Sequence, residues 1–378
     1  MRVLYLDHAT EPGGAEVSLL GLLRTLDRDR FEPVLACPRG AMADRAMALG
    51  VEVIELHLEK LLRTRNPLGV LARLRRGRAA LRRLLAERHF EVIHANTLRA
   101  AAYASGVARG AGGRFVWHVR DFAMSHLARR RLLRTCDVAI AASQFMAASL
   151  RRPDKVRVVP NGIDVAEVPG EAEVAAFREE VGLAPETPVV GCVGRLLRWK
   201  GQSFFLDVAA RLAARLPEAR FLVVGGALYA DERDDYAARL AEQAGRLGLA
   251  GRLRFLGQRS DPLTAMSAMD AVVNCSQNEP FGRVLIEAMA CRRPVVAFES
   301  GAVPEIVEDG STGLLVPFGD VDGMADAVFY LLSDPTRAEA YGIAGRERVN
   351  SRFSLSASTR GVEAVYEELA SRGGKGAP

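Results

Sequence analysis

The chain has 378 residues, 49% of them hydrophobic and 26% charged, which is apolar material for two cores of ordinary domain size. Its net charge of +5 rests almost wholly on arginine, since only Lys60, Lys155, Lys200 and Lys375 are lysines; with aromatics at 6% and no nucleic-acid module signature, no nucleic-acid partner is expected. No apolar run approaches the ~18 residues of a spanning helix, and Met1-Arg2-Val3-Leu4-Tyr5-Leu6 opens directly as a strand without a signal peptide, so a cytoplasmic protein is expected.

In chain order, residues 3–6, 34–37, 51–56, 92–94, 115–118, 138–141 and 156–159 read as strands. Helical patterns around 14–26, 41–49, 67–88, 98–109, 126–134 and 143–151 lie between them. The strands are continuously apolar rather than alternating, which implies burial on both faces and a parallel sheet. The pattern restarts after Pro160-Asn161-Gly162-Ile163-Asp164 and an acidic, alanine-rich stretch, Asn-Gly being a strong turn signal. Strands at 189–193, 221–224, 253–255, 271–273, 295–298 and 314–316 follow, then a final helix over 355–369 and a disordered tail. Two such arrays predict an α/β protein of two Rossmann-like doubly wound domains, 1–165 and 166–352, with ligands bound where the carboxyl ends of their strands face each other across a cleft. The five cysteines are odd in number and scattered through apolar stretches, so they read as reduced core thiols.

The most informative segment is Glu279-Pro280-Phe281-Gly282-Arg283-Val284-Leu285-Ile286-Glu287. It follows an apolar strand, and after Gly282 the spacing of Val284, Leu285, Ala288 and Met289 becomes helical. Glu279 is expected in the strand-to-helix loop and Glu287 about two turns on, ~12 Å along the axis. Between them Gly282 and Arg283 open the helix, where free N–H groups favour phosphate. The natural ligand of that geometry is a nucleotide-sugar diphosphate.

Other segments carry two readings each. Gly13-Gly14-Ala15-Glu16 is either a tight helix start or a backbone approach to phosphate; the absence of G-x-G-x-x-G argues against a nicotinamide dehydrogenase. Gly194-Arg195 and Lys200-Gly201 bracket a strand end, and their two cations either grip a diphosphate or lie solvated beside Trp199. His118 ends a strand with Arg120 and Asp121 available to set its tautomer or charge, or is a buried structural histidine; His8 has the same ambiguity. Glu305 reads as a first-turn helix carboxylate or a ligand contact. Asp27-Arg28-Asp29 and Asp320-Val321-Asp322 spell D-x-D by chance, the second as a helix cap, and no catalytic metal is expected. The basic amphipathic stretch 68–88 sets Val70, Leu74, Leu81, Leu84 and Leu85 on one arc, with Arg75, Arg76, Arg82 and Arg83 mostly opposite. It suits either packing on the sheet or peripheral contact with an anionic membrane.

Taken together, these residues resemble the retaining GT-B glycosyltransferases of the family-4 type, also called glycosyl transferases group 1. The likeness runs from Gly13-Gly14-Ala15-Glu16 through Asn161-Gly162-Ile163-Asp164, Gly194-Arg195 and Lys200-Gly201 to Glu279-Pro280-Phe281-Gly282 and Glu287-Ala288-Met289-Ala290. It continues through Pro304-Glu305 and Gly310-Ser311-Thr312-Gly313-Leu314-Leu315-Val316, with Gly301-Ala302 where many relatives have paired glycines. The resemblance implies that the first domain takes the glycosyl acceptor, that the second takes the nucleotide-sugar donor, and that 353–378 crosses back to the first. It further implies that Glu287 binds the ribose hydroxyls and that Arg195 and Lys200 bind the diphosphate. Glu279 would address the donor sugar, the segment through Pro280, Phe281, Gly282 and Arg283 would meet phosphate or sugar, Gly14 would do so by its backbone, and His118 would lie beside the reacting centre. Front-face substitution without metal or cofactor is the implied chemistry, at a sugar, lipid-linked or small-molecule acceptor. The alternatives are another GT-B enzyme (an epimerase or a phosphorylase) and a nucleotide-sugar-binding subunit without activity.

Overall fold

A computed structural model describes residues 1–61, 67–122, 126–226 and 235–373. The chain divides into two compact units, Met1–Gly162 with the stretch from Leu355 on, and Ile163–Ser354. The first contains β1 (Arg2–Leu6), β2 (Glu32–Cys37), β3 (Glu52–Glu55), β4 (Val92–Ala95), β5 (Arg114–Val119), β6 (Val138–Ala141) and β7 (Val156–Val158). These form one parallel sheet in the order β3-β2-β1-β4-β5-β6-β7. The second contains β8 (Val189–Val193), β9 (Arg220–Val224), β10 (Leu253–Gly257), β11 (Ala271–Asn274), β12 (Val295–Glu299) and β13 (Gly313–Pro317), in the order β10-β9-β8-β11-β12-β13. In each sheet the winding direction reverses once, between β1 and β4 and between β8 and β11. Ligands of open α/β sheets bind at the strand ends beside such reversals.

The continuous apolar strands are explained by the parity of the pleat. In β1, Val3 and Tyr5 join one core with Leu19 and Leu23, while Leu4 and Leu6 join the opposite core with Leu81 and Leu85. Helices therefore cover both faces. The helix Pro67–Glu87 uses its leucine arc for this, with Leu81 and Leu85 buried and Leu74 and Leu84 packed against the same core. Arg75, Arg76, Arg82 and Arg83 are exposed on its outer side, and so are Leu68 and Leu71 near its start.

The C-terminal helix Leu355–Gly373 belongs to the first unit. Val362, Val365, Tyr366 and Leu369 enter the core beside the helix Gly14–Thr25. Thr359 and Thr25 share a hydroxyl hydrogen bond of 2.6 Å, and the Glu363 carboxylate accepts the Asp27 N–H at 2.9 Å. This helix extends past residue 369 to take in Arg372 and Gly373, whereas the rest of the expected disordered tail, 374–378, lies outside the described residues. Both D-x-D stretches serve local backbone: Asp320 caps a helix through the Gly323 N–H at 2.8 Å, and Asp27 accepts the Asp29 N–H at 3.0 Å. All five cysteines are buried and unbridged.

Candidate active site

In the second unit, the loops after β8 and β11 meet at the winding reversal. The β8 loop closes in a single turn, Arg198–Lys200, and Gly201 follows in the left-handed region with φ 72°. A Cβ there would lie 2.1 Å from the Cys275 carbonyl oxygen of the β11 loop, so only glycine lets the loops approach this closely. The Gln277 N–H reaches the Trp199 carbonyl at 2.7 Å and completes the junction. Across it, Lys200 Nζ donates to Glu279 Oε2 at 2.7 Å and lies 4.4 Å from the Trp199 ring centroid. Their side chains are only 15% and 5% exposed, so the pair is largely out of water. Arg195, on the rim, is exposed and has no ion-pair partner among the described residues. Its carbonyl is fixed by Gln202 Nε2 at 2.8 Å.

Glu279 is held from behind. Its carbonyl accepts the Ala302 N–H at 2.8 Å, and the preceding Asn278 N–H is taken by Ser300 Oγ at 2.7 Å. Gly301, with φ 68°, lies so close that a Cβ would fall 2.4 Å from the Glu279 nitrogen and oxygen. The first of the two small residues in Gly301-Ala302 is thus sterically required. Glu305 sits in the first turn of the short helix Val303–Ile306, as its helix-carboxylate reading anticipates.

The helix Arg283–Ala290 opens at Gly282, which adopts φ 98°. Glu287 therefore lies about one turn into the helix, ~6 Å by the rise per residue, and not the two turns expected; Glu279 through Phe281 are loop, and contribute no helical rise. Pro280 and Phe281 are buried, the Phe281 ring packing edge-on against Phe353 at 6.0 Å, so this segment offers a ligand backbone rather than rings. Arg283 Nε bonds Glu287 Oε1 at 2.7 Å. Burial raises the Glu287 carboxyl above its usual range, and the Arg283 and Lys200 charges oppose that rise. Four charged groups thus stand as two ion pairs around the N-terminus of one helix.

In the first unit, Gly13-Gly14-Ala15-Glu16 is a helix start: Gly13 is the N-cap, and Glu16 Oε2 accepts the Gly13 N–H at 2.9 Å. Beneath it lies the fully buried Asp7, which accepts the His8 N–H at 2.6 Å, the Ala9 N–H at 3.0 Å and Asn96 Nδ2 at 2.7 Å. Asn96 Oδ1 in turn accepts Arg120 Nη2 at 2.9 Å, and Arg120 Nη1 donates to Asn161 Oδ1 at 2.6 Å. His8 bonds Thr97 Oγ1 at 2.9 Å, and burial with the Arg99 charge lowers its pKa to about 4.

Glu16 is the titrating member of this cluster. Burial first, and Asp7 second, push its carboxyl from 4.5 up to about 7. The folded protein therefore holds this proton more tightly than the unfolded chain, and stability falls as pH rises from about 4.5 through about 7. Glu16→Gln keeps an oxygen for the Gly13 N–H and is expected to flatten that fall. At pH 8 the gain should be about 3 kcal/mol, from the size of the shift. Urea melts at pH 5, 7 and 8 check it; an equally steep decline in the variant assigns the burden to another group.

His118 sits in β5, 3% exposed, and its Nδ1 pairs with His94 Nε2 at 3.2 Å. Arg120 acts on it through charge, while its guanidinium donates to Asn96 and Asn161. Burial, then Arg120 and His94, lower the His118 pKa well below 6.5, so the ring is neutral. The tautomer follows from the hydrogen bonds behind it. Tyr366 O–H donates to the Tyr5 oxygen at 3.1 Å, which leaves the Tyr366 oxygen to accept His94 Nδ1–H at 2.6 Å. His94 Nε2 must then accept from His118 Nδ1–H, and His118 Nε2 keeps a bare lone pair. That nitrogen is buried without a partner among the described residues, an acceptor awaiting a donor. The sequence reading passed over His94, Tyr5 and Tyr366, and also Asp7, Asn96, Gln202 and Ser300. The one available signal was that Asp7 and Asn96 are polar residues directly after apolar strands.

Residues 12–167 match the family model described as Glycosyltransferase Family 4, and residues 173–348 match Glycosyl transferases group 1. The chain is 32% identical over 318 residues to the phosphatidyl-myo-inositol mannosyltransferase of Mycolicibacterium smegmatis, covering 81% of this chain and 79% of that one. The chain belongs to the family-4 glycosyltransferases. Another relative is the lipopolysaccharide core biosynthesis mannosyltransferase LpsB of Rhizobium meliloti, 32% identical over 240 residues, or 63% of this chain and 67% of that one. Among solved structures, Anabaena HepE in complex with UDP-glucose superposes with a TM-score of 0.84 at 29% identity, covering 97% of this chain and all of that one. The two parallel sheets of this glycosyltransferase are thus those of the GT-B fold.

Proposed function

We propose that this glycosyltransferase moves a sugar from a nucleoside-diphosphate sugar to a sugar, lipid-linked or small-molecule acceptor, with retention and without a metal. The observation that carries the reading is the Lys200–Glu279 pair at the β8/β11 reversal, beside the N-terminus of the helix that bears Arg283 and Glu287. In this reading Glu287 leaves Arg283 to take the two ribose hydroxyls. Arg195, Lys200 and the backbone N–H groups from Phe281 to Arg283 take the diphosphate, and the Gly14 backbone adds a further phosphate contact. Glu279 accepts hydroxyls of the donor sugar. The bond from the anomeric carbon to phosphate oxygen breaks, and its electron pair stays on the diphosphate, where the cations neutralise it. The acceptor oxygen attacks from the same face and gives its proton to that phosphate oxygen. His118 receives a substrate hydroxyl on its bare Nε2. Residues 1–165 serve the acceptor and 166–352 the donor.

HepE in complex with UDP-glucose supports the donor class, and the two mannosyltransferase relatives support hexosyl transfer. The test is a screen of UDP-, GDP- and ADP-sugars with product analysis, in excess EDTA. Transfer that keeps the anomeric configuration and survives EDTA is expected; inversion, or loss in EDTA with rescue by manganese, overturns the corresponding part. Glu287→Ala is expected to weaken the bare nucleoside diphosphate by about 2–3 kcal/mol, the scale of a charge-assisted hydrogen-bonding group. Calorimetry giving unchanged affinity in a folded variant removes the ribose assignment.

We further propose that the protein works in the cytoplasm, at the inner face of the membrane, a site suited to a lipid-linked acceptor such as the phosphatidyl-myo-inositol in one relative's name. No helix among the described residues is long and apolar enough to cross a membrane. Because the leucine arc of Pro67–Glu87 is engaged in the core, attraction to anionic lipid rests on its exposed arginines. Co-sedimentation with anionic vesicles is expected at low salt and not at moderate salt, and not for Arg75→Glu/Arg76→Glu/Arg82→Glu. Sedimentation unaffected by the triple variant removes this helix as the contact.

A further inference from the structure

The second unit contains a cavity of about 740 Å³ that holds none of the proposed donor residues. Its walls come from the helix Glu171–Glu180, the end of the helix Pro262–Ser267, the turn after the helix Arg283–Ala290, and the helix Pro335–Arg352. The volume is that of a site for a small organic molecule. Its lining is aliphatic in part, through residues such as Val174 and Leu183, and its charged members are four arginines, Arg178, Arg292, Arg293 and Arg346, with two carboxylates, Glu171 and Glu179.

Two of those arginines already have structural work. Arg178 donates to the carbonyls of Ala268, Ala184 and Thr187 at 2.7, 3.0 and 2.5 Å, and Arg346 Nη1 donates to the Ala290 carbonyl at 3.0 Å. Arg292 and Arg293 differ. Neither side chain has a hydrogen-bond or ion-pair partner among the described residues. Cations at a helix C-terminus complement its dipole, which is the plain account of their position. That account leaves two things over. The open carbonyl at Ala290 is already met by Arg346, and Arg293 is partly buried with its Nε wholly enclosed and unbonded. Beside them the Ser267 hydroxyl, 4% exposed, lies against the Cys291 thiol. Buried donors left open in this way cost stability until an acceptor arrives.

We infer that this cavity is a second ligand site, for a small phosphomonoester with an apolar body. The phosphate would sit between the Arg292 and Arg293 guanidiniums with Ser267 as a third donor, and the body would lie along Val174 and Leu183. Four lining arginines against two lining carboxylates leave an excess of two positive charges, which a dianion matches. The helix Arg283–Ala290 ends at this site, with Arg283 at its other end and Glu287 midway, so occupancy here has a direct structural line to the donor residues.

Calorimetry with phenyl phosphate, on protein saturated with the nucleoside diphosphate it binds best, tests the inference. One-site binding is expected, at least tenfold tighter than that of inorganic phosphate. Arg292→Ala/Arg293→Gln should weaken phenyl phosphate at least tenfold, as should the cavity-filling Val174→Trp, while each variant keeps wild-type nucleotide affinity as its measure of folding. No heat in the wild type, equal affinity for inorganic phosphate, or equal binding in folded variants each overturns the site.

Discussion

Lys200→Ala is expected to lower turnover by about 10²–10³-fold, the range found when one preorganised charge-stabilising donor is removed from a site. The size follows from burial. Lys200 Nζ lies between the Glu279 carboxylate and the Trp199 ring with its side chain 15% exposed, so its charge is poorly screened and strongly felt by a departing diphosphate. The same substitution strands Glu279, whose side chain is 5% exposed, and stability should drop by about 3–5 kcal/mol as for a broken buried pair. Lys200→Ala/Glu279→Gln separates the two effects: much of the stability returns, but turnover does not. Recovery of turnover in the double variant would mean that Lys200 only balances Glu279. Arg195→Ala should also cost turnover heavily, with little change in melting temperature, because its guanidinium is exposed and has no ion-pair partner among the described residues.

His118→Ala is expected to fall by a comparable ~10²-fold, since a positioned acceptor in an enclosed site is lost. Tyr366→Phe, more than two hundred residues away in the chain, should cause part of the same loss. Without the Tyr366 oxygen, His94 Nδ1–H has no acceptor; His94 then favours the other tautomer, and His118 turns its lone pair inward. Ring nitrogen shifts in NMR read this directly. The wild type should show His118 protonated on Nδ1, and Tyr366→Phe should move the proton to Nε2. A wild-type ring protonated on Nε2 removes the argument. Turnover should also lack a histidine limb near pH 6.5, because burial keeps His118 neutral well below that value.

The sheets were legible because parallel strands are buried on both sides, and runs such as 138–141 and 271–273 therefore have no polar face to confuse the pattern. Glu279 and Glu287 were legible because a loop and the helix after it fix both within one short segment. Their distance along the helix was misjudged, since nothing in Glu279-Pro280-Phe281 announces that the helix waits for Gly282. Lys200 could be singled out as a lysine in an arginine-rich chain, but its partner could not: the two are brought together only by strand order, with β11 inserted beside β8. The same holds for His94. Within its strand it is one more buried residue, and its meaning depends on Tyr366, which reaches it by way of a helix that follows an entire second unit.

That interruption gives the enzyme an order of assembly. The sequence of Ile163–Ser354 leaves the ribosome before the helix that finishes the first unit, so the later domain is the first whose full sequence is available to fold. Until translation has passed Tyr366, the Val3 and Tyr5 face of the first sheet has only part of its cover and His94 lacks its oxygen. A nascent chain can thus carry Lys200, Glu279 and Glu287 in a formed second unit while His118 is still unset. If the proposed roles hold, a product truncated before Tyr366 is expected to bind nucleotide sugar without transferring it, which calorimetry and a transfer assay on such a truncation check.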